Sequence, residues 1–340
     1  MDANNRIVVD ALQSSNFTRE RFLEIRAGGI DCIHATVVIW EDARTTLDLL
    51  GGWNRMFREN DDLIALARNG QEIRDVVAGG RTAVVLGFQN ASSFEDDLDL
   101  VEVFFDLGIR VAQLTYNIQN HVGASCYETQ DAGLTRFGGY VVEEMNRLGM
   151  LVDLSHVGER TSLDAIDQSA RPVTITHANP AAVWPHPRNK SDEVLRKLAI
   201  RGGVLGVAPY AHLTGGGPVG LEEWTSMVAY AVDLMGIDHV GIGSDASHGW
   251  DDDKLQWIRK GRWSHETQLG PASADAQGWL PWPDFFKTPA MFPTIEQGLR
   301  DRGFDDAEVD KLVGGNWMRI FDEGLTPHRD SRPKVARASA

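Results

Sequence analysis

Residues 149–179 read GMLVDLSHVGERTSLDAIDQSARPVTITHAN. Two short apolar runs, 150–154 and 173–176, each release a histidine just past their ends, His156 and His177. Between them, residues 158–169 have the length and amphipathic spacing of a helix, so the unit is strand–helix–strand. Parallel strands joined by a right-handed crossover bring their C-terminal ends to one edge of a sheet. The two imidazoles are therefore expected side by side, at the mouth where barrel enzymes keep their chemistry. A third member, Asp245, follows the run 240–243 in HVGIGSDAS. Two histidines and a carboxylate at strand ends form a metal-binding set.

The same pattern extends along the chain. Eight short runs rich in Val and Ile fall at 7–9, 30–39, 82–88, 111–115, 150–154, 173–176, 204–208 and 240–243, as strands buried on both faces should. Helical patterns fill the gaps, for example 18–27, 94–107, 138–148, 191–201 and 221–235, with Thr18 as an N-cap and Gly28, Gly108 and Gly149 just past last turns. Eight strand–helix units predict an α/β fold, a (β/α)8 TIM-type barrel in one domain; a doubly wound open sheet is the runner-up. The barrel is expected over 1–325, with an irregular insertion at 248–293 and a polar, disordered tail at 326–340. Two closing helices are expected at 294–302, capped by Thr294, and at 306–313. The insertion carries Trp250, Trp257, Trp263, Trp279 and Trp282. They suit a lid, a subunit contact, or simply the packing of a long loop on the barrel.

Lys and Arg number 33 against 49 Asp and Glu, a net charge of −16, which argues against nucleic acid or an anionic membrane as the partner. Two cysteines, Cys32 and Cys126, make no disulfide framework. No stretch reaches the roughly 18 apolar residues of a membrane span, and the N-terminus lacks a leader pattern. A cytoplasmic location is the default expectation.

Each chemistry-bearing residue has a plainer alternative. His34, inside a strand pattern, suits a hydrogen-bonded core histidine; His121, His212, His265 and His328 suit solvated loops or the tail; His239 starts a strand at the opposite barrel end. Asp245 suits a metal ligand, a general base, or a helix N-cap. Arg188 and Asn189 follow the sixth strand in HPRNKSD, where an arginine could grip a substrate carboxylate or brace a loop. Tyr116 and Tyr210, after the fourth and seventh strands, could each donate a hydrogen bond into the pocket or stand as buried rings.

These stretches resemble the membrane (renal) dipeptidase family of metallo-dependent hydrolases. The resemblance rests on LTYNIQN, GLTRFG, VVEEMNRLGMLVDLSH, THAN, RNKSD, HVGIGSD and GGNWMRIF, spread over about residues 87–321. It implies a (β/α)8 barrel and a two-zinc hydrolase of dipeptides, often tolerating a D-residue at the C-terminal position. His156 and His177 match the histidines of one zinc site, Asp245 the catalytic aspartate, Arg188 the arginine that holds the substrate carboxylate, and Tyr210 a tyrosine that helps it. Homodimers are common in that family, and the tryptophans of the insertion would suit such a contact.

The departures bear on the metal. Where the family's first strand ends in His-x-Asp, this chain has Leu12 and Ser14 in DALQSS; Gln89 stands for the bridging glutamate, and Tyr116 for a histidine. Paired cations about 3.5–4 Å apart need anionic ligands between and around them. The exchange removes two negative charges and a nitrogen donor, so a single ion is expected, zinc first and iron or manganese as alternatives. Its expected holders are His156 and His177, helped by Asp245 or the Gln89 carbonyl. Asp245 and Tyr116 are the expected catalytic groups, and Arg188, Tyr210 and Asn189 the substrate contacts. The predicted activity is hydrolysis of a dipeptide or related small amide with a carboxylate. The alternatives are a non-peptide substrate such as an ester or lactone, a non-catalytic ligand-binding protein, and a purely structural subunit.

Overall fold

The strand pattern closes on itself in space. The computed structural model describes residues 6–217, 219–261 and 278–326. Among them are nine strands: β1 (Val9–Gln13), β2 (Cys32–Val38), β3 (Ile64–Leu66), β4 (Thr82–Phe88), β5 (Ile109–Gln113), β6 (Leu151–Asp153), β7 (Thr174–Ala178), β8 (Val204–Val207) and β9 (Val240–Ile242). Eight pair side by side, all parallel, in the order β1-β2-β4-β5-β6-β7-β8-β9. A parallel bridge between Gln13 and Ala246 brings the last strand's exit back to the first, making a nearly closed barrel. Helices run between the strands on the outside, as the crossover rule requires.

Burial explains why the strands read as continuous apolar runs. β1, β4, β5, β6, β7, β8 and β9 are buried at every residue, with the barrel lumen on one side and the helix ring on the other. Space inside is tight. A Cβ at Gly206 or Gly243 would stand 2.0 or 1.7 Å from the Thr176 carbonyl oxygen, so β7, β8 and the exit of β9 approach more closely than any side chain allows.

Several boundaries differ from expectation. The first strand lies at Val9–Gln13 rather than 7–9, which sets Ser14 just past its end, like the histidines of later strands. β3 was not expected: three residues pair with the first half of β4, while β5 takes its second half. The segment 94–107 divides into a 3-10 turn, Ala91–Phe94, and a helix, Asp99–Asp106. The helix expected at 294–302 begins at Phe292 with Pro293 in its first turn, so Thr294 is inside it rather than capping it. At 306–313 an Asp305–Glu308 capping box opens the helix Asp306–Asp310, and a π turn, Lys311–Gly315, follows. Thr18 does cap Arg19–Ala27, accepting from the Arg21 amide, and Gly149 takes the left-handed conformation after Arg136–Leu148.

The insertion expected to be irregular contains a helix, Asp252–Lys260, capped by Asp251. Its tryptophans fasten it to the barrel: Trp250 donates to the Ser14 carbonyl, and Trp257 packs on the cluster of Ile39, Trp40 and Tyr116. Trp263, His265, His328 and nearly all of the tail at 326–340 lie outside the described residues. No helix among the described residues is long and apolar enough to cross a membrane.

Candidate active site

His156 and His177 leave β6 and β7 on the same edge, and their Nε2 atoms are 3.1 Å apart. Each ring is held from behind. His156 Nδ1 is 2.7 Å from Asn117 Oδ1, and the ring stacks on Tyr116 with centroids 4.0 Å apart. His177 Nδ1 is 2.9 Å from Thr176 Oγ1. The Thr176 hydroxyl itself donates to Asp153 Oδ2 at 2.8 Å, so it receives from the imidazole rather than giving to it. An amide oxygen and a committed hydroxyl both call for Nδ1–H, which leaves each Nε2 as a bare lone pair.

Two lone pairs 3.1 Å apart repel unless something positive lies between them. Burial, then the nearby Arg188 guanidinium, holds both imidazoles well below their ordinary pKa of 6.5, which disfavours a proton there. A cation suits the pair: two Zn–N bonds of about 2.0–2.1 Å span such a separation, and outer hydrogen bonds from Nδ1–H are the usual support of a ligating histidine. Among the described residues no group of three or more His, Cys, Asp or Glu side chains converges as a ligand set. The donor set in place is thus two nitrogens, and any further donors are oxygens. Leu12, fully buried, has none to offer on its side chain.

The cavity beside the pair measures about 60 Å³ and is lined by Ser14, Gln89, Tyr116, Arg188, Tyr210 and Asp245, among others. Asp245 caps no helix; its φ is 56°, a left-handed conformation shared among described non-glycine residues only with Glu95 and Asn117. Two of these three strained residues sit at the site, which is where such strain is retained. Burial raises the Asp245 carboxyl to about 7; Arg188 opposes the rise, and Asp10 and Asp153 add to it. Burial and Asp245 likewise push the Tyr116 phenol well above 10, and burial raises that of Tyr210.

Arg188 is buried, with its guanidinium donating to the Ser155 and His177 carbonyls. No carboxylate pairs with it among the described residues, so the loop-bracing ion pair considered for it is absent there. Gln89 gives its amide nitrogen to Thr36 Oγ1 at 2.8 Å, leaving its amide oxygen as the group to offer the cavity. Asn189 is the exception in the expected set. Its amide is spent on the Trp184 and Leu213 carbonyls and the Asn179 amide, so it shapes the loop and does not line the cavity.

Other residues were not anticipated. Asn117, Thr176 and Asp153 orient the histidines, and the polar Asp153 and Thr176 inside apolar runs were the available signal. His212, expected in solvent, is half-buried against His186, lines the cavity and lies 3.4 Å from the Tyr127 hydroxyl. Burial holds it down to about 3. The insertion adds Leu255, Ile258, Arg259 and Trp279 to the lining. His34 bonds the Ala11 carbonyl from within β2, as a core histidine should.

A family model described as membrane dipeptidase (peptidase family M19) matches residues 8–256. A solved amidohydrolase from Pseudomonas aeruginosa is 35% identical with a TM-score of 0.88, covering 94% of this chain and 97% of that one. A solved metallopeptidase from Rhodobacter sphaeroides, holding a phosphinate mimic of the dipeptide L-Ala-D-Ala, has a TM-score of 0.78 at 19% identity, covering 94% of this chain and 100% of that one. At that identity the likeness speaks to the fold alone. Dipeptidase verJ of Clonostachys rogersoniana is 28% identical over 285 residues, 83% of this chain and 66% of that protein. The chain therefore spans just under two thirds of that relative's length.

Proposed function

The chain belongs to the membrane dipeptidase family, and on that premise we propose a metal-dependent hydrolase that cleaves a dipeptide or related small amide bearing a carboxylate, using one metal ion. The observation that carries it is Arg188: a buried guanidinium at the cavity, braced by two carbonyls, with no carboxylate paired to it among the described residues. A buried charge is costly unless paired, and a planar fork suits a carboxylate. The substrate supplies the missing anion.

His156 and His177 would hold the ion, with oxygen from Asp245 or Gln89 beside them. When bound, it supplies Lewis-acid activation of water and of the scissile carbonyl. Zinc is the first expectation for two imidazoles and oxygen donors. The second ion of the family is not expected, because Leu12, Ser14 and Gln89 supply no anion to separate two cations.

Asp245 accepts the proton of the attacking water and later returns it to the leaving amine. A carboxyl raised to about 7 is matched to both directions of that transfer near neutral pH. Tyr116, kept as a phenol by its surroundings, donates toward the oxyanion. Tyr210 stacks on His212, tilts against Trp282, and lines the cavity together with Arg188.

The test is a set of small amides offered as free acids and as matching carboxamides. Hydrolysis of the acids, with kcat/KM at least about tenfold above the carboxamides, supports the reading. Equal rates on both would remove Arg188 from it, and hydrolysis of esters or lactones alone would favour the non-peptide alternative.

A further inference from the structure

A second cavity, about 280 Å³, lies at the barrel mouth beside the exits of β1 and β2. Ser14 lines both this cavity and the one at the histidine pair. Thr36, which lines the second cavity, accepts the hydrogen bond from Gln89, which lines the first. At about 60 Å³ the histidine-side cavity is far below the roughly 300–1,000 Å³ of ligand pockets, so a bound amide must extend beyond it. A larger cleft of about 800 Å³ on the other side shares no lining residue with the site. Trp40, edge-on to Tyr116 at 5.1 Å, stands between them.

We infer that the cavity beside β1 and β2 is the subsite for the acyl side of the substrate, and that it takes a large apolar, ring-bearing group. This rests on the reading above that the substrate carboxylate sits at Arg188. Arg188 follows β7, the sixth strand of the eight-membered ring, and the cavity adjoins the first and second. The second and sixth strands of such a ring face each other across the mouth. A substrate anchored by its carboxylate at one side therefore carries its far end toward the other.

The walls fit that end. Phe17 and Trp53, with ring centroids 5.1 Å apart, present an aromatic face, while two carboxylates and two cations (Glu41, Asp48, Arg55 and Lys254) share the lining and leave room for a ring between them. Ser14, which stands in the lining of both cavities, is a short neutral side chain. The floor includes Gly52, in the interior of the helix Ala43–Glu59. Glycine there weakens the helix, and packing does not require it: a Cβ would meet only Arg55 Nη2, at 3.8 Å. Its absence keeps the cavity open.

The test uses calorimetric binding of ω-phenylalkanoic acids of increasing chain length, compared with butyrate, to the metal-loaded protein. Gly52→Leu fills the cavity without touching the site, and Gly51→Leu is the matched control, since a Cβ at Gly51 meets nothing within 4 Å and Gly51 does not line the cavity. The expected result is a gain of about tenfold or more over butyrate at one chain length, lost in Gly52→Leu and kept in Gly51→Leu. Butyrate binding that Arg188→Ala abolishes, with no gain from the ring or a gain that survives Gly52→Leu, would overturn the subsite and leave the Arg188 reading standing. A ring-dependent gain lost in Gly52→Leu but indifferent to Arg188→Ala would support the subsite and overturn the Arg188 reading. No binding of any acid would overturn both.

Discussion

Nε2 of His156 faces Nε2 of His177 across 3.1 Å, and each ring is fixed by a partner from a different place in the chain, Asn117 for one and Thr176 for the other. The pair exists because two successive strand–helix units end at the same height. Its tautomers are then set by the amide and hydroxyl behind it, and its proton affinity by burial and Arg188. The result is a preformed pair of ring nitrogens beside a cavity that the buried Arg188 also lines.

Asn117 is the first place to test this. It holds a left-handed backbone, φ 53°, so alanine there would add strain; Asn117→Gly removes the acceptor without that penalty. Metal affinity, by competition with a chelating dye, is expected to fall by about 10–100-fold in Asn117→Gly and to be kept in Asn117→Asp. Equal loss in both would mean the oxygen behind His156 is not what orients it.

Arg188→Ala is expected to lower kcat/KM for a carboxylate-bearing amide by about 10–100-fold, the scale of a charge-assisted hydrogen bond. Because Arg188 also braces the Ser155 and His177 carbonyls, the discriminating measurement is preference. Wild type should favour acid over carboxamide and the variant should not. A variant that is slow but still selective would make Arg188 a brace only.

Asp245 gives a pH prediction for stability of the chelator-treated protein. Its folded carboxyl titrates near 7 and its ordinary value is 3.8, so the folded state holds a proton the unfolded chain has released. That contribution is full below about 4 and is lost as pH rises through 7. Ionised and buried, the carboxylate costs at most about 4 kcal/mol. Thermal melts should therefore show Asp245→Asn gaining on wild type by a few degrees more at pH 8 than at pH 5. A gap that does not change with pH would contradict the burial argument.

Gly243→Ala tests how tightly the barrel is closed near the site. The added methyl would lie 1.7 Å from the Thr176 oxygen, backbone that cannot swing aside. A loss of about 3 kcal/mol or more is expected by denaturant unfolding. A loss within about 0.5 kcal/mol would mean the strands separate more readily than their packing implies.

How much could be read beforehand follows from which interactions are local. Strands buried on both faces announce themselves as apolar runs, and the residue just past a run inherits the barrel mouth, so the positions of His156, His177, Asp245 and Tyr210 were legible, whereas Arg188 lies farther along the loop after β7. β3 was not, because three residues on the flank of β4 leave no period to detect. Asn189 follows Arg188 in the chain, yet loop closure turns its amide to the backbone. His212 and His186 face each other only after two separate loops fold together. The helix Asp252–Lys260 was hidden by the tryptophans around it, whose packing partners are distant in sequence.

The most direct measurement is metal content per chain by elemental analysis, on protein purified without chelator, for wild type, His156→Ala and His177→Ala. About one equivalent in wild type, lost in both variants, is the expected result. Two equivalents in wild type, or one that persists in both variants, would contradict a single ion held by the facing pair.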